Sequence, residues 1–256
     1  MATTTIDHLL DGRLVLEQPS RGFRASIDAV LLAAAVGSGL EAAGSSARVE
    51  VLDAGCGVGT ATLCLARRKA AFAVTGLEIE PATASLARDN VARNSLDDQA
   101  SIELGDVLDP PISLRHRQFA AVMTNPPFNP TSGQVAGDGA RALATSDAAG
   151  PVAWLGACLK RLAPGGQLVV VHRADRLPAV LASLDRVAGQ IEIIPFWPRA
   201  DGKPAKRVVI RCRKGRRAPT ALLPGLVLHE TTGKFTPMAE AILRDGAGLD
   251  DVMPGP

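Results

Sequence analysis

The 256-residue chain has no tyrosine, six phenylalanines and two tryptophans. With so few aromatics, any one that could stack on a planar ligand stands out, among them Phe23, Phe128 and Trp197. Cysteine is also sparse. Cys56, Cys64, Cys158 and Cys212 form no C-x-x-C pair, so neither a disulfide framework nor a zinc ribbon is predicted. Such usage is expected of a reduced, cytoplasmic chain. The histidines at 8, 116, 172 and 229 lack ligand spacing, and no metal is predicted. No apolar run approaches the ~20 residues of a membrane helix. The opening Met1-Ala2-Thr3-Thr4-Thr5 has neither the basic nor the apolar region of a signal peptide.

Charge is nearly balanced, at a net +2, but unevenly spread. From Arg199 to Arg217 nine Lys or Arg face one acid, Asp201. Such a run is the electrostatic footprint expected for phosphate. Lys and Arg also blunt exposed sheet edges, so charge alone leaves both readings open. The nucleic-acid candidates are Lys206, Arg211, Arg213, Lys214, Arg216 and Arg217.

The most informative segment is Asn125-Pro126-Pro127-Phe128, directly after the apolar run Phe119 to Met123. Two prolines fix two φ angles and remove two N–H donors. The residue before a proline is held extended. The Asn125 amide and the Pro126 carbonyl are therefore aimed rigidly, with an aromatic ring beside them. That is a socket for a planar amino or amide group. A Pro-rich turn is the plain alternative.

Upstream, the strand Val49 to Asp53 leads into Gly55, Gly57 and Gly59, and a helical run starts at Thr60. Strand, glycine turn and helix start form a cradle for a nucleotide-like cofactor. The G-x-G-x-G spacing is not that of dinucleotide oxidoreductases. Cys56, inside this loop, reads as a small packed residue and not a nucleophile. The next strand, 71–77, ends at Glu78, where an acid meets ribose hydroxyls. The one after it, 100–104, is followed by Asp106. Ligands of open α/β sheets bind at the carboxyl ends of the strands, so these acids and the Asn-Pro-Pro segment converge.

The wider pattern alternates: strands at 49–53, 71–77, 100–104 and 119–124, with helices at 60–69 and 81–94. A helix at 151–162 stops at Ala163-Pro164-Gly165-Gly166. Then follow a strand at 167–172, a helix at 176–187 and strands at 190–195 and 206–213. The last two strands are too close for a helical crossover and predict an antiparallel hairpin. Before the core, 14–18 reads as a strand and Ser26 to Val36 as a helix capped by Ser26. Residues 129–150, rich in Gly, Ala, Ser and Thr, read as a loop able to close over substrate. The expected organisation is a lead-in (1–47), a catalytic domain (48–217) and an extension packed on it (218–256).

Residues 48–215 resemble the class I S-adenosylmethionine-dependent methyltransferases, with a seven-stranded, mostly parallel Rossmann-like sheet. Within that class Asn-Pro-Pro-Phe belongs to enzymes that methylate amines of bases or amides. The segment from Gln18 through Arg24 to Ala34, and the tail from Leu226 to Arg244, resemble the bacterial tRNA(Val) adenine-N6 methyltransferase family. The resemblance implies S-adenosylmethionine as cofactor, tRNA as partner, and methylation of the adenine beside the anticodon. It implies that the Gly55–Gly59 loop passes under the methionine part and ribose. Glu78 would then hold ribose, Asp106 the adenine amino group, and Asp53 would lie near the methionine amino end. Gln18 and Arg24 enter the cofactor site by resemblance alone. Asn125 and Pro126 would accept the N–H bonds of the target amine, and Phe128 would stack on the base. Release-factor glutamine methyltransferases use the similar Asn-Pro-Pro-Tyr, and ribosomal RNA guanine-N2 methyltransferases share Asn-Pro-Pro-Phe. A non-catalytic RNA-binding module of the same fold is the alternative of another class.

Overall fold

The computed structural model describes residues 3–21, 26–40, 48–127 and 150–253. An antiparallel hairpin comes first, β1 (Thr4–Leu9) and β2 (Leu14–Pro19), followed by α1 (Ile27–Ala34). Ser26 caps α1 by accepting from the Asp28 N–H. Then come β3 (Val49–Ala54), α2 (Thr60–Arg68), β4 (Phe72–Glu78), α3 (Pro81–Arg93) and β5 (Ala100–Leu104). Pro81 occupies the first turn of α3, where its missing N–H costs nothing. The one-turn α4 (Ile112–Arg115), β6 (Phe119–Thr124), α5 (Gly150–Arg161), β7 (Leu162–Arg173) and α6 (Leu177–Leu184) continue the chain. β8 (Ala188–Arg199) and β9 (Arg207–Lys214) precede β10 (Ala221–Leu222), β11 (Leu226–His229), α7 (Pro237–Leu243) and α8 (Leu249–Val252).

Among the described residues the main sheet has nine strands, in the order β10-β8-β9-β7-β6-β3-β4-β5, with β11 also beside β8. β5, β4, β3, β6 and β7 are parallel neighbours, whereas β9 runs antiparallel to both β7 and β8. The chain winds outward from β3 to β5, then returns to β6 on the other side of β3. That reversal leaves a crevice at the carboxyl ends of β3 and β6.

The inner parallel strands β4, β3, β6 and β7 are largely buried on both faces, which explains their apolar runs, whereas the edge strand β5 leaves Ser101 and Leu104 exposed. Val51, Met123, Val169 and Val209 face a core shared with α1, α2, α3 and α7. Leu52, Val122, Val170 and Ile210 face α5 and α6. The seven core strands are those expected, and the last two are antiparallel as expected. The tail adds two short strands at the edge. β1 is not among the expected elements: its residues alternate between exposed and half-buried, so it lacks the apolar face that marks a strand. The expected stop at 163–166 ends the helix, but those residues already begin β7, with Gly165 at φ +72°. α6 is shorter than expected and β8 longer, because the chain leaves the helix at Asp185 with no glycine to announce it.

Candidate functional site

The Gly55–Gly59 loop is fixed from below by β4. The N–H groups of Gly55 and Cys56 both donate to the Leu77 carbonyl, at 2.9 and 3.0 Å. Cys56 packs into the space left by Gly76, where a Cβ would come within 2.8 Å of its sulfur. Burial pushes the Cys56 thiol well above its usual pKa, so it stays neutral and inert. Gly55 and Gly59 both have positive φ, +77° and +87°. At Gly55 an added Cβ would also lie 3.0 Å from the Trp154 ring. Gly59 caps α2 with no side-chain acceptor of its own.

Asp53 takes that capping task. Its carboxylate accepts from the Thr62 hydroxyl at 2.7 Å and from the Thr62 backbone. Only 2% of the residue is exposed, and desolvation lifts its pKa to about 7; the two Thr62 bonds pull it down and the Glu78 charge pushes it up. Glu78 bridges two segments. One oxygen accepts from the Gly57 N–H at 3.0 Å, the other from the Glu80 N–H at 2.9 Å. Each oxygen keeps a further lone pair.

These groups line a cavity of about 330 Å³ at the carboxyl ends of β3, β4 and β6. Asp53, Gly55, Gly57, Glu78 and Asn125, all named from the sequence, are brought together on its wall. Asn125 contributes a buried amide oxygen that has no hydrogen-bond partner among the described residues. Leaving such an acceptor unpaired costs on the order of 1–3 kcal/mol. Its position is secured by the residue before it. The Thr124 hydroxyl, fully buried, donates to the Ala54 carbonyl at 2.8 Å and accepts from the Trp154 indole at 2.9 Å. Pro126 is buried and Pro127 exposed.

Other expected residues fall elsewhere. Asp106 accepts from the Leu108 N–H at 2.8 Å, which closes a turn, and it does not border the cavity. Gln18 is buried in β2 and donates to Asp7; its neighbour Pro19 reaches the cavity instead. Arg24, Phe128 and the 129–149 segment lie outside the described residues. Sequence reasoning missed Thr124 and Trp154, and also Pro19 and Arg21 on the cavity wall. The one available signal was Trp154, since a buried indole N–H needs an acceptor.

The basic run does not form one surface. β9 is antiparallel, pairing Arg207 with Arg173 at the carboxyl edge and Arg213 with Gln167 toward the opposite edge. Of the six candidates only Lys206 lies at the cavity's edge of the sheet. Arg213, Lys214, Arg216 and Arg217 sit toward the other edge, about 20 Å away along an extended strand. Arg211 is corrected outright as a phosphate contact: it is 8% exposed and paired with Glu192 at 2.7 Å and with Asp250. At the carboxyl edge, Arg173, Lys206 and Arg207 line a cleft of about 290 Å³ together with Asp175. Among the described residues no helix is long and apolar enough to cross a membrane, and no cluster of His, Cys, Asp and Glu could hold a metal.

Residues 38–195 match the family model described as methyltransferase small domain. The chain is 30% identical over 231 residues to a tRNA1(Val) (adenine(37)-N6)-methyltransferase of Porphyromonas gingivalis strain W83, covering 87% of this chain and 88% of that one. The same enzyme of strain ATCC 33277 is 30% identical over 234 residues, 88% of this chain and 89% of the other. Among solved structures, a predicted O-methyltransferase from Agrobacterium tumefaciens superposes with a TM-score of 0.68 at 24% identity, over 86% of this chain and 96% of that one. The AdoMet complex of M. jannaschii TYW2 gives 0.55 at 14% identity, over 85% and 88%. These two share the fold. With a family model spanning its glycine loop and Asn-Pro-Pro segment, and relatives aligned over most of its length, the chain belongs to the methyltransferase small domain family and is an S-adenosylmethionine-dependent methyltransferase.

Proposed function

We propose that this methyltransferase acts on the N6 amine of adenine in tRNA, with Asn125 and Pro126 as the amine-binding pair. The unpartnered, buried Asn125 oxygen on the cavity wall carries this reading. The cavity suits S-adenosylmethionine. Gly55 and Gly57 offer backbone without side chains, Glu78 has lone pairs for ribose hydroxyls, and Asp53 is an acid for an ammonium group. Asp106 is assigned to the adenine amino group by the resemblance alone, since it does not border the cavity. The cofactor supplies an electrophilic methyl group.

The exocyclic amine of adenine is a weak nucleophile because its lone pair is delocalised into the ring. Two acceptors on its N–H bonds return density to nitrogen as charge develops. The Asn125 amide oxygen and the Pro126 carbonyl meet that need. Thr124, braced by Trp154, holds them still, which favours an in-line approach. Phe128 is assigned to stacking on the base. The tRNA assignment rests on the two Porphyromonas gingivalis relatives and on the cations at the carboxyl edge. Lys206 is assigned to phosphates flanking the target, together with Arg173 and Arg207, whose side chains stay 44% and 37% exposed although they pair with Asp175 and Asp28.

Asn125→Ala tests the site. Methyl transfer should fall at least 100-fold, while cofactor affinity stays within about twofold. A folded variant that loses cofactor affinity instead would contradict the assignment.

A further inference from the structure

Two asparagines, Asn90 within α3 and Asn94 at its C-terminal cap, stand in for a missing strand. Asn94 accepts from the Val15 N–H at 2.9 Å and donates to the Val15 carbonyl at 2.7 Å. Asn90 does the same to Glu17, at 2.8 Å in both directions. Residues four apart on a helix rise about 6 Å. Residues two apart on a strand span about 6.8 Å. The two amides therefore match the free edge of β2, whose other edge is paired with β1.

Beyond this the two differ. The second N–H of Asn94 goes back into its own helix, to the Asn90 carbonyl at 2.8 Å. That of Asn90 crosses to the glycine loop, reaching the Val58 carbonyl at 3.0 Å. Asn90 is completely buried, and both of its side-chain N–H donors are used. It joins the loop under the cavity to a strand whose end, through Pro19 and Arg21, forms the cavity wall. We infer that Asn90 is a positioning residue for the cofactor: it couples docking of the N-terminal hairpin to the shape of the glycine loop. Binding in the cavity then tightens β2, and a loose β2 weakens binding.

Asn94→Ala is the matched control, because it removes an equivalent pair of β2 bonds, at Val15 instead of Glu17, but leaves Val58 alone. Both variants should lose similar thermal stability. Asn90→Ala should weaken S-adenosylmethionine binding, measured calorimetrically, by about fivefold more than Asn94→Ala does. Its kcat at saturating cofactor should stay within about twofold of the parent. Equal affinities in the two variants would reduce Asn90 to a structural residue and overturn the inference. Hydrogen exchange on the unaltered protein covers the case in which Asn90→Ala does not fold. Cofactor should slow exchange at the Val15 and Glu17 amides; unchanged rates there would overturn the coupling.

Discussion

Asp53 shows how one residue serves two needs. As the cap of α2 it must accept from Thr62, and in doing so it is withdrawn from water. Its pKa near 7 means that the folded protein holds a proton that the unfolded chain has already released above pH 4. Stability from this group is therefore greatest at low pH and declines as pH rises from about 4 to about 7, by up to about 4 kcal/mol. His172 acts in the opposite sense: burial lowers its pKa to about 4, so its contribution grows between about pH 4 and 6.5. The difference between the parent and Asp53→Asn isolates the aspartate. That difference should move in favour of the amide variant from pH 5 to pH 8 in thermal melts. A pH-independent difference would contradict the buried-acid account. Glu78 is held at the loop by two backbone N–H groups.

At the scale of elements, α5 braces the carboxyl end of β6. Its Trp154 meets Thr124 by hydrogen bond and lies against Gly55, so one side chain braces both the residue before Asn125 and the glycine loop. Trp154→Phe removes the N–H donor and keeps an aromatic ring. It should cost about 1 kcal/mol of stability. It should also lower kcat more than it changes cofactor affinity; a change in affinity alone would place the effect at Gly55. The strands of the core were legible because each is a short apolar run between turn residues, and Asn125 because two prolines follow it. The Thr124–Trp154 bond was not, since it joins residues thirty apart and depends on how α5 packs. Nor was the docking of β2 on α3. Asn90 and Asn94 read as ordinary polar helix residues until the strand edge they pair with is in place.

Over the whole molecule, charge follows topology and not sequence order. Lys206 and Arg217 are eleven residues apart, yet β9 carries the chain from the carboxyl edge of the sheet to the other. For that reason the cations of 199–217 do not form the single patch that their spacing suggests. The phosphate contacts proposed above therefore predict an asymmetry. Replacing Arg173 and Lys206 by Gln should weaken binding of bulk tRNA and flatten its salt dependence by about one to two units of slope. Replacing Arg216 and Arg217 should leave the slope nearly unchanged. The reverse result would move the RNA to the far edge. The acceptor itself is decided by transfer of tritium from methyl-labelled S-adenosylmethionine to separate pools of tRNA, ribosomal RNA and protein, taken from cells lacking this gene. Label in tRNA that digests to N6-methyladenosine is the predicted result, and label confined to protein would contradict the account.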